Sequence, residues 1–186
     1  MNRIPHLRLV PGGRHTPVQI AGIEVVSSPA GDPPFPVDTR IVEEDTWRLL
    51  SPDPALRPTT EHPIRLMTDL VHDEPAAPGT VLVGRHRWRA VVYDLDRQPI
   101  CRPEWVAAAL GRLLALARER GRRSLALPLL GCRHGPLSWQ ESLGLLLEAL
   151  AASGPPPERI WVQVGRGLLG PALEALRGHA DGGLSD

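Results

Sequence analysis

The sequence predicts an α/β fold in which a parallel or mostly parallel sheet packs between helices. From residue 80 onward, short apolar or β-branched segments alternate with helical segments, and short links between such elements favour parallel strands. The chain has 186 residues, a length that suits one domain with its own core. Hydrophobic residues make up 42% of it, with no net formal charge, which excludes a disordered, highly charged chain.

Each element follows from a local pattern. Residues 18–26 are rich in β-branched side chains and predict a strand. Proline-rich segments at 29–36, 51–63 and 72–79 predict a loop-rich N-terminal half, in which 39–50 is ambiguous and 63–71 is a short strand or a turn. The remaining predictions are strands at 80–83, 88–95, 124–130 and 159–164 and helices at 103–121, 138–152 and 171–177.

Two helix starts carry specific signals. Pro103 fits the first turn of a helix. Ser138, with Glu141 three residues later, predicts a capping box. The resulting organisation is a flexible N-terminal arm at 1–17, a single domain at 18–177 and a flexible tail at 178–186.

Composition excludes several classes of function. All 21 basic residues are arginine, so lysine chemistry is excluded. The zero net charge argues against nucleic-acid binding through bulk charge. No segment is apolar for long enough to span a membrane, and the N-terminus lacks a signal-peptide pattern, so we expect a cytoplasmic protein with no membrane partner. Cys101 and Cys132 show no metal-ligand spacing, so no metal site is expected, and Cys101 is interpreted as a buried small side chain.

The most informative loop is Leu130–Trp139, LGCRHGPLSW, between a predicted strand and a predicted helix. Ligands of α/β sheets bind beyond the carboxyl ends of the strands. Free loop amides and the positive end of the next helix favour a phosphate or diphosphate. The predicted ligand-binding residues are Gly131, Cys132, Arg133, His134 and Gly135. The alternative is a tight turn whose glycines serve only the backbone geometry.

The stretch SLALPLLGCRHGPLSWQESLGLLLEAL resembles the macro domains, which bind ADP-ribose. It is most similar to the branch whose phosphate loop reads Pro-x-Ile-Gly-Cys-Gly-Leu-x-x-Leu-x-Trp. The positions in register with that pattern are Pro128, Gly131, Cys132, Leu137 and Trp139. The resemblance covers residues 80–177 and implies a three-layer α/β/α sandwich whose loop wraps the diphosphate and distal ribose. It implies no cofactor, and the partner is ADP-ribose or an ADP-ribosylated protein.

Departures from the family pattern affect catalysis. Arg133 replaces a glycine, Gly135 replaces the aspartate of the branch that hydrolyses ADP-ribosyl esters, and the lysine of that branch is absent. This implies binding without the usual hydrolase residues and leaves open whether the chain is an enzyme. A water-activating base, if one exists, would be His134 or an acidic residue such as Asp45. The alternative function is a degenerate macro fold that acts as a protein-interaction or assembly module without a nucleotide; the oligomeric state stays open.

The family's Asn-rich segment corresponds here to residues 41–47, which are acidic and contain no asparagine. The cluster Glu43, Glu44 and Asp45 is interpreted as a solvated turn rather than a metal site. Arg133 would either fold over a bound diphosphate or pair with one of these carboxylates, and we favour the pairing.

Three further segments have both a purely structural and a functional interpretation. The family's Gly-Asp pair, whose aspartate meets the adenine, has a two-residue match at Gly31 and Asp32. Asp94 and Asp96 hold a ribose hydroxyl or cap the loop that follows them. The run GRHRWR at 84–89 is interpreted as a hairpin with solvated arginines rather than a surface that stacks a base.

Overall fold

A computed structural model of the protein describes residues 15–50 and 74–182. Within these ranges the chain forms a seven-stranded sheet and three α-helices. The strands are β1 Val18–Ile20, β2 Ile23–Ser28, β3 Thr39–Asp45, β4 Val81–Val83, β5 Arg87–Tyr93, β6 Ser124–Pro128 and β7 Arg159–Gln163. The helices are α1 Pro103–Glu119, α2 Trp139–Ser153 and α3 Leu169–Gly182, the last preceded by a 3-10 turn at Arg166–Leu168.

The strand order is β1-β2-β7-β6-β3-β5-β4. The five central strands run parallel, and the outer strands β1 and β4 are antiparallel to their neighbours. The parallel strands therefore all end at one edge of the sheet, the carboxyl edge, and all begin at the opposite amino edge. The predicted α/β sandwich with a mixed, mostly parallel sheet is confirmed.

One face of the sheet packs against the helices. Alternate residues of the central strands, among them Ile41, Leu125 and Ile160, join the apolar side chains of all three helices in one core. Helices α1 and α2 contact each other, and α3 contacts β1 and β2. The opposite face also buries large side chains, including Val91 and Trp161. This packing fixes the strand ends from which the loops of the carboxyl edge emerge.

Several predicted boundaries are wrong. Residues 18–26 form a hairpin rather than one strand, because Ala21 and Gly22 adopt positive φ angles of 50° and 82° and reverse the chain. The ambiguous segment 39–50 is a strand as far as Asp45. Helix α3 begins before and ends after the predicted 171–177, so residues 178–182 of the predicted tail are helical.

The predicted elements in 51–73 and most of the predicted N-terminal arm lie outside the described residues. None of the described helices combines the length and the apolar run needed to cross a bilayer.

Candidate functional site

The glycine loop, Gly131–Gly135, lies at the carboxyl edge between β6 and α2. Ser138 is the N-cap of α2: its Oγ accepts the Glu141 N–H at 3.2 Å, while a Glu141 carboxylate oxygen accepts the Ser138 N–H at 2.8 Å. The hydrogen bonds from Ser138 lower the pKa of Glu141. The predicted strand, loop and capped helix are confirmed. The capping box occupies the N–H groups of Ser138 and Glu141, so these two are not available to an anion at the helix start.

Packing explains both glycines of the loop. Gly131 has a φ of +84°, and a Cβ there would lie 3.1 Å from Cys101 Sγ. A Cβ on Gly135 would lie 2.6 Å from the Gly131 carbonyl oxygen and 2.7 Å from Cys101 Cβ. The loop therefore folds back on itself against Cys101. Gly135 has no room for a side chain, and at Gly131 a Cβ would fit only tightly, on a backbone conformation that favours glycine.

A buried carboxylate at the end of β3 hydrogen-bonds to this loop. Glu43 Oε1 accepts hydrogen bonds from the Gly131 N–H at 2.7 Å and from the Tyr93 hydroxyl at 2.8 Å. The Tyr93 hydroxyl in turn accepts the His134 N–H at 3.2 Å. Burial raises the pKa of Glu43, against the opposing effects of these hydrogen bonds and of the positive charges of His134 and Arg133. Two loop amides are thus already bonded to the sheet.

Other polar groups of the loop are not bonded to the rest of the protein that the structure describes. Within the described residues, the N–H groups of Arg133 and Gly135 have no hydrogen-bond acceptor. The side chains of Arg133 and His134 are exposed. The favoured ion pair of Arg133 is not formed, because none of the described carboxylates lies within 4.0 Å of its guanidinium. The two side chains are accessible to a ligand, and the two amides have no competing acceptor among the described residues.

The two cysteines have structural surroundings. Cys101 is 1% exposed, as predicted, and burial raises the pKa of its thiol to about 12. Cys132 is half-buried, its Sγ lies 3.4 Å from the Ser138 carbonyl oxygen, and burial raises its pKa. Because the thiolate is the nucleophilic form, neither thiol is activated for attack.

The acidic segment at the end of β3 is not a solvated turn, and that prediction is wrong. Strand β3 is central in the sheet, so Glu43, Glu44 and Asp45 are all buried. The Asp45 carboxylate accepts the amides of Trp47, Leu49 and Leu50 at 2.7, 2.7 and 2.8 Å. Both its oxygens are used in shaping the chain that leaves β3, which argues against Asp45 as a catalytic base.

Asp94 and Asp96 shape the loop after β5. Asp94 Oδ1 accepts the Asp96 N–H at 3.2 Å, and its other oxygen pairs with Arg97 Nε at 2.9 Å. Asp96 Oδ2 accepts Trp47 Nε1–H at 2.7 Å. These contacts favour the capping interpretation over ribose binding.

A cavity of about 170 Å³ opens where β2 ends, next to the start of α3. Asp32 reaches it because the Asp32 N–H donates to the Pro29 carbonyl at 2.9 Å and Ser28 Oγ donates to the Asp32 carbonyl at 2.7 Å. His15 Nε2 lies 3.6 Å from Asp32 Oδ1. The lining residues include His15, Thr16, Ser28, Asp32, Leu169 and Leu173.

A second, more open cleft adjoins this cavity and is lined in part by Gly31, Asp32 and Arg166. Sequence reasoning noticed Gly31 and Asp32 but missed Arg166, His15 and Leu169. The available signal was the Gly-Arg-Gly segment at 165–167, separated from the end of β7 by one residue. Because β2 and β7 are parallel neighbours, this segment lies at the carboxyl edge beside the loop after β2.

The cavity and the glycine loop lie along one line. Strands β2, β7 and β6 are consecutive neighbours, and neighbouring strands are about 4.8 Å apart, so the ends of β2 and β6, from which the two loops leave, are about 10 Å apart. An elongated ligand can reach from Asp32 to the glycine loop.

Comparison with solved structures identifies the fold. The macrodomain of Thermus aquaticus DarG is 24% identical with a TM-score of 0.51, over 70% of this chain and 91% of that chain. A variant of the Oceanobacillus iheyensis macrodomain is 13% identical with a TM-score of 0.65, over 90% and 94%. Another variant, solved with ADPR, is 11% identical with a TM-score of 0.63, over 88% and 99%. No protein-family model and no curated protein sequence matches the chain. The protein has the macro domain fold.

Proposed function

We propose that this protein binds ADP-ribose, or a related nucleotide diphosphate, across the carboxyl edge of the sheet. The carrying observation is the cavity at Asp32, which opens at the end of β2, two strands away in the sheet from β6 and the glycine loop that follows it. Two structures of the Oceanobacillus iheyensis macrodomain that share the fold were solved with ADPR and with ADP. Their ligands have the length and charge that this arrangement suits.

The adenosine end of the ligand belongs at the cavity. The half-exposed Asp32 carboxylate can accept a hydrogen bond from the adenine amino group. Leu169 and Leu173 supply apolar surface for the base. A charged acceptor with an apolar wall is the usual composition of a small-molecule site.

The diphosphate end belongs at the glycine loop. The N–H groups of Arg133 and Gly135 are free to donate to phosphate oxygens. The exposed Arg133 guanidinium can add a bidentate, charge-assisted contact. Of the five predicted residues, Arg133, His134 and Gly135 are therefore the proposed ligand contacts, with Gly131 and Cys132 shaping the loop.

We propose binding without the hydrolysis of the branch that the loop resembles. The sequence contains no lysine, and Gly135 occupies the position of the branch's aspartate. Asp45 is bonded through both oxygens to backbone amides. An ADP-ribosylated protein, engaged by residues 18–177 as one domain, is the proposed partner. The free thiols of Cys101 and Cys132 suit a reducing compartment such as the cytoplasm.

Calorimetric titration with ADP-ribose, ADP and inorganic phosphate tests the proposal. We expect saturable binding of ADP-ribose and a stabilisation of about 2.7 kcal/mol at a hundredfold excess over Kd. Asp32→Ala removes one charge-assisted hydrogen bond and is expected to weaken ADP-ribose at least tenfold, or about 1.4 kcal/mol. Glu148→Ala, which removes an exposed carboxylate on α2, is the matched control. Wild-type protein that binds no nucleotide at millimolar concentration contradicts the proposal.

One observation favours the second candidate, a protein-interaction module without a nucleotide. The amides of Gly131 and His134 are already bonded to Glu43 and Tyr93, so the loop offers fewer donors than an unfilled phosphate site. Such a module would show no thermal shift with ADP-ribose or ADP.

A further inference from the structure

Arginines concentrate at the amino edge of the sheet, opposite the proposed ligand site. The turn between β4 and β5 is tight, because the Gly84 N–H donates to the Arg87 carbonyl at 3.1 Å and Trp88 Nε1–H donates to the Gly84 carbonyl at 3.0 Å. A Cβ on Gly84 would collide with the Arg87 carbonyl. Arg85 and Arg87 are exposed on this turn. The predicted hairpin is confirmed, with Arg85 and Arg87 solvated as expected. Arg89 departs from the prediction, because it is largely buried and its Nη1 lies 3.7 Å from the buried Glu44 carboxylate.

Two more arginines join them from neighbouring elements. Arg40 and Arg87 are register partners on the parallel strands β3 and β5, and both are exposed. Their side chains leave the same face of the sheet, on strands about 4.8 Å apart. Arg122 Nη2 donates to the Arg85 carbonyl at 3.2 Å, which brings the loop before β6 to the turn. We call Arg40, Arg85, Arg87 and Arg122 the arginine surface.

The charge of this surface is not neutralised by contact. Within the described residues, none of its four guanidinium groups lies within 4.0 Å of a carboxylate. Arg40 lies over the Trp161 ring instead, 5.8 Å from its centroid. An anionic partner would supply the counter-charge that these arginines lack within the described residues.

The acidic groups nearby are otherwise engaged. Glu158 pairs with Arg123 at 2.7 Å. Asp38 accepts the amides of Arg123 and Ser124 at 2.8 and 3.0 Å, and it also interacts electrostatically with Arg122 without forming an ion pair within 4.0 Å. A chain with no net charge therefore carries a local positive surface, so the exclusion of nucleic acid by bulk charge does not extend to this edge.

We propose that the arginine surface binds the phosphate backbone of double-stranded nucleic acid without reading its sequence. Guanidinium groups match phosphate oxygens in geometry and charge. A duplex carries about one negative charge per 1.7 Å of its axis, so one rigid edge can contact several phosphates at once.

The surroundings favour a duplex over the other polyanions. Trp88 and Trp161 are buried, so neither provides the exposed ring on which unpaired bases stack. An acidic peptide would have to be ordered on binding, which costs free energy that a duplex does not lose. The surface lies about 20 Å from the carboxyl edge, the length of a seven-residue strand such as β5. Nucleic acid and nucleotide can therefore bind together.

Fluorescence anisotropy of the full chain with a labelled 20-base-pair duplex, at about 50 and 200 mM salt, tests the proposal. We expect binding that weakens steeply with salt. Arg85→Ala/Arg87→Ala is expected to weaken it at least tenfold at the lower salt and to reduce the slope of log K against log salt by about 1.8, or 0.9 per lost phosphate contact. Arg112→Ala/Arg177→Ala removes the same charge from exposed positions on α1 and α3 and should leave Kd within twofold.

Three results would overturn the proposal. They are no duplex binding at the lower salt, an equal loss in the control variant, or equally tight binding of a single strand or of poly-glutamate. Thermal unfolding and ADP-ribose titration of Arg85→Ala/Arg87→Ala should match wild type, which shows that the fold is intact. Absence of ADP-ribose binding in wild type would overturn only the proposed function, because the two surfaces are separate.

Discussion

The two ends of the carboxyl edge differ in how far their polar groups are already bonded within the protein. At the cavity end, Asp32 is half-exposed, and within the described residues its carboxylate has one polar contact, with His15 Nε2 at 3.6 Å. At the glycine-loop end, Glu43 occupies the Gly131 amide and the Tyr93 hydroxyl, and Tyr93 occupies the His134 amide. The polar groups at the cavity end are therefore available to a ligand, whereas those at the glycine-loop end are already hydrogen-bonded to the sheet. We call the hydrogen bonds of Glu43 and Tyr93 to the loop the brace.

This difference indicates how a ligand would bind. Breaking a buried hydrogen bond without replacing it costs about 1–3 kcal/mol, so a diphosphate gains little by displacing Glu43 from the loop. We expect the ligand to use the unbonded donors of Arg133 and Gly135 and to leave the inner network intact. The inner network then determines the shape of the loop, and the cavity end determines which nucleotide is preferred.

The largest expected effect comes from Gly135→Ala, which forces the glycine loop away from the residues that hold it. The new methyl group would lie 2.6 Å from the Gly131 carbonyl oxygen and 2.7 Å from Cys101 Cβ, so the loop must move. We expect the free energy of unfolding to fall by about 1–3 kcal/mol, as for an overpacked core. ADP-ribose affinity should fall by more than tenfold. Denaturant unfolding measures the change in stability, and calorimetric titration measures the change in affinity.

The control is the same substitution at Gly111 in α1, where a Cβ meets nothing within 4 Å. Alanine there removes a flexible residue from a helix and should raise stability by about 0.5–1 kcal/mol. Equal stability of Gly135→Ala and wild type would show that the loop is not braced.

Local signals in the sequence predicted much of this edge. The capping box at Ser138 and the apolar run before Gly131 were sufficient to place strand, loop and helix, because each depends on residues close in the chain. The resemblance to macro domains added the fold. Helix capping and the tight turn at the glycines depend on a few neighbouring residues, so both could be predicted from the local sequence.

The brace itself could not be predicted. Glu43 and Gly131 are 88 positions apart, and Tyr93 comes from a third strand, so their meeting depends on sheet order. Acidic residues at a strand end resemble a solvated turn until β3 is known to be central. The hairpin at Ala21 and Gly22 was missed because the β-branched pattern continues on both sides of the turn.

A smaller effect is expected from Arg133→Ala at the braced end. The guanidinium is exposed and has no ion-pair partner among the described residues, so it is free to fold over a diphosphate. Its loss should weaken ADP-ribose about tenfold, or about 1.4 kcal/mol, without changing stability. Arg177→Ala, an exposed arginine on α3, controls for net charge. Unchanged or tighter binding would mean that the loop end contributes shape but no charge contact.

The smallest expected effect, and the most specific for the brace, is that of Glu43→Gln. Glutamine keeps an oxygen that can accept the Gly131 and Tyr93 hydrogen bonds but removes a carboxylate that faces Tyr93, His134, Arg133 and Cys101.

Because burial raises the pKa of Glu43 above its ordinary value of 4.5, the wild-type carboxyl group stabilises the fold at low pH, and this stabilisation is lost as the pH rises through the raised pKa. The variant should lack that loss, so its free energy of unfolding should increase relative to that of wild type as the pH rises above 4.5. Without the negative charge of Glu43 next to the loop, the variant should also bind ADP-ribose about twofold to threefold more tightly at neutral pH, because like charges repel each other. Unfolding and titration between pH 5 and 8 measure both effects, with the exposed Glu104→Gln as the control of equal charge change. Parallel pH profiles for wild type and Glu43→Gln would show that this carboxylate does not titrate against the fold, and the loop would then be held by packing alone.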